Sequence, residues 1–448
     1  MNPVLLALAI LTAGLGGVVL LGWLLVRPRL VLTILLLLLP FHTGLFQILK
    51  IELALPTTIA LALQSWKEGT LLLLVSWVLV QSLTTGRLRM AHAWILPLVG
   101  LFMLIGLAGI RHAPSFVEGL YSYRVMFEPF VVFLLILLLP LDIAWCKRLV
   151  PWLLVVGAIV AALAIFQAIF LGYDFLWKYY AADGQISVSF SFMGGRIQRA
   201  MGTFSSPNQL SLYLVFMILI AANLALRFPQ QRRRLATLLA LLFAALLLTV
   251  SRSGWVALLV GLGFSFLIWR RKRIVVPLFI LLALIAIPIG STLGLGSHLA
   301  NTLQGRELSA NYHIMSFRQN VEVILDNPLG VGLGRVGPRA FYFRKGSGQF
   351  YPTESYLLQV AMELGIPGLV MFLLVTISAA IVVYSNIFRL SSVWSRAMAV
   401  SALAALLAAL AHTLLIPDLQ DFTLGCYLWF LVAWGMRLPA LEQRISPV

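Results

Sequence analysis

Cysteine is nearly absent from this chain: Cys146 and Cys426 are the only two in 448 residues. Both stand beside or within apolar segments, so neither a disulfide framework nor a cysteine metal site is supported, and the redox compartment cannot be read from them. The six histidines are scattered without ligand spacing, which argues against a bound metal. Charge is also scarce, at 10% of residues, and acidic charge is scarcest, with 15 Asp and Glu against 32 Lys and Arg. The first apolar run, residues 3–26, lacks the basic leader and small-residue cleavage site of a signal peptide, and is expected to be a retained helix. No internal repeat is strong enough to argue an inverted-repeat transporter.

What fills the chain is hydrophobic, 61% of positions, in recurring apolar stretches of about 17–25 residues, the length needed to cross a bilayer. The expected fold class is an all-α polytopic membrane protein of about 12–14 transmembrane helices. Spans are predicted near 3–26, 30–49, 66–84, 92–110, 124–141, 149–171, 205–226, 234–250, 255–269, 274–292, 356–384, 397–415 and 422–438. Residues 51–65 read either as a loop or as a further short helix, which leaves the side of the N-terminus open. More than half of the 32 basic residues lie in short connections such as Arg27/Arg29, Arg232–Arg234 and Arg270–Arg273, opposed only by Asp142 and Glu442. By the positive-inside rule those loops are cytoplasmic, and the net charge of +17 is topological rather than a sign of nucleic-acid binding. Three regions follow: an N-terminal bundle, 1–292, with arginine-bearing external loops 172–204 and 251–254; a large external lid loop, 293–355; and C-terminal helices, 356–448.

The external loops carry the residues suited to chemistry. Arg196 and Arg199 precede Met-Gly-Thr-Phe-Ser-Ser-Pro-Asn at 201–208, a shaped turn beside fixed positive charge. Arg252 sits in the short Ser251-Arg-Ser-Gly254 turn. A guanidinium stays charged and forks onto phosphate, so two such loops at one membrane face point to a common anionic ligand. The bland alternative for each arginine is snorkelling into the headgroup layer. In the lid, residues 313–325 put Ile314, Phe317, Val321 and Ile324 on one helical stripe, expected to lie on the bundle. Asp326-Asn-Pro328 then signals a turn, and the glycines of Leu-Gly-Val-Gly-Leu-Gly at 329–334 allow close backbone approach.

The order Arg199-x-Met-Gly-Thr-Phe-x-x-Pro-Asn, Ser251-Arg252, Asn327-Pro-Leu-Gly-Val-Gly332, then Glu354-Ser-Tyr-Leu-Leu-Gln-Val-Ala-Met-Glu-Leu-Gly-Ile-Pro-Gly368 resembles the bacterial O-antigen ligase and O-antigen or exopolysaccharide polymerase superfamily. These motifs cover roughly residues 195–370, and the helix layout extends the likeness over most of the chain. The resemblance implies a GT-C-like, metal-independent and cofactor-free glycosyltransferase in the bacterial inner (plasma) membrane, with its active face periplasmic. The donor it implies is a glycan on polyprenyl (undecaprenyl) diphosphate. The diphosphate would be held by Arg199 and Arg252, with Arg196 nearby, and flippase and chain-length-regulating proteins are the neighbours expected from the family.

One departure matters. Ligases of this superfamily typically show His-Asn where this chain has Glu354-Ser355, and that histidine is thought to activate the acceptor hydroxyl. Glu354 reads as the base that takes the acceptor proton, as a structural partner that orients Arg199 or Arg252 or caps the following helix, or as a solvent-exposed glutamate. His313 and Arg318 on the lid helix are lid contacts in one reading. In the other, His313 is an inert surface histidine and Arg318 an i,i+4 partner of Glu322. Arg124 with Tyr121 and Tyr123 reads equally as a sugar groove or as part of an interfacial aromatic belt, and Trp177, Tyr179 and Tyr180 carry the same two readings.

The leading expectation is glycan transfer to an acceptor hydroxyl at the external face. Glu354 favours an acceptor that is another lipid-linked repeat, which makes a polymerase; lipid A-core as acceptor would make an O-antigen ligase. A transporter or lipid flippase is the alternative from a different class, and is disfavoured because the arginines gather at helix ends on one face rather than at mid-membrane.

Overall fold

The computed structural model describes residues 26–85, 92–180, 191–192, 197–270, 308–337, 340 and 351–443. The spans expected at 3–26 and 274–292 lie outside the described residues. Fifteen α-helices can be named within them. In chain order α1 is Pro28–Leu38, α2 His42–Glu52, α3 Thr57–Gln64, α4 Trp66–Thr85, α5 Ile95–Gly109, α6 Phe116–Leu138, α7 Ile143–Phe166 and α8 Gly172–Tyr180. Then come α9 Pro207–Arg227, α10 Arg232–Leu248, α11 Arg252–Ile268, α12 Leu308–Asp326, α13 Tyr356–Arg389, α14 Val393–Thr413 and α15 Phe422–Gln443. The two-residue pairing of Ser191–Phe192 with Ile197–Gln198 is the only strand pair among the described residues.

The chain is an all-α polytopic membrane protein: nine helical stretches among the described residues are long and apolar enough to cross a bilayer, and α11 is a shorter apolar helix. The segment 51–65 is helical at α3, and Pro40 breaks the span expected at 30–49 into α1 and α2. Helices start where a side chain can satisfy the first free amides: Ser115, Asp142, Ser206 and Ser251 each accept from the backbone N–H three residues on.

Burial separates the bundle into a centre and a rim. The apolar window of α15 is 89% buried and that of α9 78%, against 11% for α4. Apolar surface left exposed on the rim is tolerable because lipid tails solvate it. On the face that carries the basic loops, Arg29 pairs with Asp142, and Arg437 is buried in α15, donating to the Ile136 carbonyl at 2.6 Å. The chemistry-bearing loops gather at the opposite face.

Candidate functional site

The loop after Arg199 is braced from three sides. Gln167, buried at the end of α7, accepts from the Met201 and Gly202 amides at 3.0 and 2.7 Å. Gly44 of α2 donates its amide to the Thr203 carbonyl at 2.9 Å, while the Thr203 hydroxyl donates to Pro40 O at 2.6 Å. The Tyr180 hydroxyl donates to Gly202 O at 3.1 Å, so this aromatic serves as a strut. Tyr179 and Lys178 engage Glu52 instead.

Arg199 spans the gap between this loop and the end of α10. Its Nε donates to Thr249 O at 2.8 Å and one Nη to Asn208 Oδ1 at 2.9 Å, and its neighbour Ala200 donates its amide to Leu248 O at 2.9 Å. Asn208 Oδ1 also accepts from Ser251 Oγ at 2.9 Å, and Ser251 in turn meets Ser211 and Ser253 at 3.0 and 3.1 Å. Arg252 is the first residue of α11, so the sequence-read turn is a capped helix start. Val250, immediately before it, has φ +48°, a left-handed backbone that a branched residue rarely adopts and that costs about 1–3 kcal/mol. Such strain persists only where the surroundings over-determine the conformation, and here Thr249 and Ser251 on either side are both held by that network.

Arg199 and Arg252 are therefore brought together. Burial pushes the Arg199 guanidinium down to about 10, with the positive charge of Arg252 acting in the same sense and Asp418 opposing. It stays protonated at neutral pH. Neither arginine forms an ion pair with a described residue, and Arg252 is exposed. Two adjoining cations, one held by hydrogen bonds and one exposed at a helix start, can receive a multiply charged anion. Arg196 lies outside the described residues.

Asp418 was not singled out from the sequence. It is buried in the connection between α14 and α15 and bonds His412 Nε2 through Oδ2 at 2.9 Å. Two aspartates, Asp418 and Asp421, within four residues between apolar helices were the available signal. The same connection meets the start of α13, where Ser355 Oγ donates to Thr413 O at 3.1 Å. Ser355 is the N-cap of α13 but makes no side-chain cap bond. Glu354 stands half-buried just ahead of it.

The glycine motifs form a clasp. Val331 N donates to Met362 O at 2.8 Å, Gly332 N to Glu363 O at 3.2 Å, and Ile366 N to Pro328 O at 2.9 Å, while the buried Glu363 carboxylate accepts from Gly334 N at 2.9 Å. Gly365 breaks α13 with φ +72°, and a Cβ there would stand 2.4 Å from Pro328 O. Gly330, φ +91°, would likewise put a Cβ 2.6 Å from Glu363 O. Only glycine permits both the backbone and the approach.

The lid helix α12 sits differently from its sequence pattern. Phe317, expected on the bundle-facing stripe, is 57% exposed, whereas Ser316 and Asn320 are each 3% exposed. Asn320 Nδ2 donates to Thr353 Oγ1 at 3.0 Å. The inward face of α12 is thus polar where it meets the loop before α13, although the helix also packs against α13 itself. Arg318 and Glu322 are both exposed on α12, and no contact joins Arg318 to Arg199 or Arg252 among the described residues. The side chain of His313 lies outside the described residues.

Residues 236–373 match the family model described as O-antigen ligase. Comparison with curated proteins finds no match. The matched stretch holds Arg252, the lid helix, the clasp and Glu354; Arg199 and its braced loop precede it. Over this stretch, and with the motifs that lead into it, the chain is similar to the O-antigen ligase family.

Proposed function

We propose that the protein is a glycosyltransferase that moves a glycan from a polyprenyl diphosphate to an acceptor hydroxyl at the face opposite the basic loops, the periplasmic side of a bacterial inner membrane. The observation that carries this reading is the Arg199–Arg252 pair, two cations without an ion-pair partner among the described residues, Arg199 held by hydrogen bonds and Arg252 placed beside it at the Ser251-capped start of α11. The acceptor oxygen attacks the anomeric carbon. The bond from that carbon to the diphosphate oxygen breaks with its electron pair, and the anomeric centre inverts. Glu354 takes the acceptor proton, and the arginines stabilise the polyprenyl diphosphate as it leaves, with no metal required. Preorganised donors of this kind are worth about 10²–10³ each in rate.

The acceptor in this reading is a second lipid-linked repeat, so the product is a lengthened polysaccharide. Glu354, in place of the ligase-type histidine, supports that choice. The family description supports the second reading, an O-antigen ligase that loads lipid A-core. A deletion strain separates them by gel and mass spectrometry of both pools. Accumulated single lipid-linked repeats mean polymerase. Accumulated long lipid-linked polymer with uncapped core means ligase, and unchanged pools would contradict both.

A further inference from the structure

A second polar group lies at the same face as the arginine pair. The first turn of α4 supplies Lys67 and Glu68, and α6 supplies Arg124 and Glu128. Lys67 Nζ is 3.2 Å and Arg124 Nη1 3.1 Å from the same oxygen, Glu68 Oε1, and Arg124 Nε is 3.6 Å from Glu128 Oε1. Lys67 Nζ also stands 4.3 Å from the centroid of the Phe422 ring, at the start of α15. Arg124 Cζ lies 5.0 Å from the centroid of the Tyr121 ring. Lys67 and Glu128 are buried, each 8% exposed, whereas Arg124 and Tyr121 open to the outside, Tyr121 at 39%.

Four charges in a membrane bundle are costly, and such residues mark a functional site more often than a structural one. Two features tell what this one would hold. First, the two cations are matched by two carboxylates, so the group lacks the excess positive charge that a diphosphate needs. Second, Glu68 Oε2 is buried and accepts no hydrogen bond within the described residues. A buried carboxylate oxygen without a donor requires an explanation, and a ligand hydroxyl is the donor that fits it. Carboxylate acceptors, cationic donors and an exposed aromatic face are together the recognition chemistry of a neutral sugar. The place fits as well, because Asp421, beside Phe422, feels the charges of both Lys67 and Asp418, and Asp418 in turn acts on Arg199.

We infer that Lys67, Glu68, Tyr121, Arg124 and Glu128 form the subsite for the acceptor glycan. The inference rests on the transferase reading above, and binding measurements separate the two. The probes are the lipid-free repeat oligosaccharide, released by mild acid from the host's lipid-linked repeat, and inorganic pyrophosphate, each titrated against the full chain in lipid nanodiscs. Glu68→Gln should weaken oligosaccharide binding about tenfold, as expected for a charged hydrogen-bond partner, and leave pyrophosphate affinity unchanged. Arg252→Ala should do the reverse. Tyr121→Ala, a change on the exposed side, should also weaken the oligosaccharide and guards against a packing defect in Glu68→Gln. Unchanged oligosaccharide affinity in both Glu68→Gln and Tyr121→Ala, or a loss of pyrophosphate binding in Glu68→Gln, overturns the subsite. Unchanged pyrophosphate binding in Arg252→Ala overturns the transferase reading instead.

Discussion

The two polar groups at this face use the same cationic chemistry to different ends. Around Arg199 and Arg252, hydrogen bonds to Thr249 and Asn208 fix one guanidinium, and the carboxylate that acts on it, Asp418, is tied to His412. Its positive charge is left for a ligand. Around Lys67 and Arg124 each cation meets a glutamate, and the positive charge is spent inside the protein. The lesson is that the count of basic residues does not identify an anion site. What identifies it is where the opposing carboxylates are held.

Breaking the contrast on the arginine side should have the largest effect. Arg252→Ala is expected to lower glycan transfer about 10³-fold with membrane abundance unchanged, measured at equal protein in a complemented deletion strain. Arg252→Lys should fall between, because a lysine gives charge without the fork. Next comes Glu354→Gln, expected to cut turnover about 10²-fold while donor KM holds; a rise in donor KM with unchanged turnover would instead make Glu354 a partner of the arginines. Gly365→Ala should act on the scaffold, destabilising the clasp by roughly 1–3 kcal/mol through strained backbone alone, with more from the clash, and is read by thermal unfolding. The smallest effect is that of pH. Arg199 is held at about 10, a cation whose pKa is lowered, so it loses its proton as pH rises through that value. Donor KM should be flat from pH 7 to roughly 9 and climb above it, and a donor KM that rises below pH 8 would contradict this.

The arginine half was legible in the chain because it is local. Arg199 and Asn208 lie nine residues apart across one loop and the first turn of α9, Ser251 and Arg252 share one helix start, and glycines placed where backbones touch announce themselves. Close backbone approach at the 329–334 glycines was legible for the same reason, but its partner at Gly365 was not. The half around Glu68 was hidden: Lys67 and Arg124 sit on different helices, and inside an apolar run a charge looks alike whether its partner is a glutamate or a lipid headgroup. Asp418 and His412 were passed over because their value arises only when the end of α14 folds back beside Arg199. The lid misled for the opposite reason. Its apolar stripe suggested burial of Phe317, but Ser316 and Asn320 turn inward instead, and periodicity cannot report which face an unseen partner will cover.

The decisive comparison is the binding of glycan-free polyprenyl diphosphate and polyprenyl monophosphate to the wild-type protein and to Arg252→Ala in nanodiscs. If Arg199 and Arg252 jointly hold the diphosphate, the wild type should prefer the diphosphate by more than about tenfold, and Arg252→Ala should lose that preference. Equal affinity of the wild type for the two lipids, or a preference that survives in Arg252→Ala, would show that the arginine pair is not the diphosphate site.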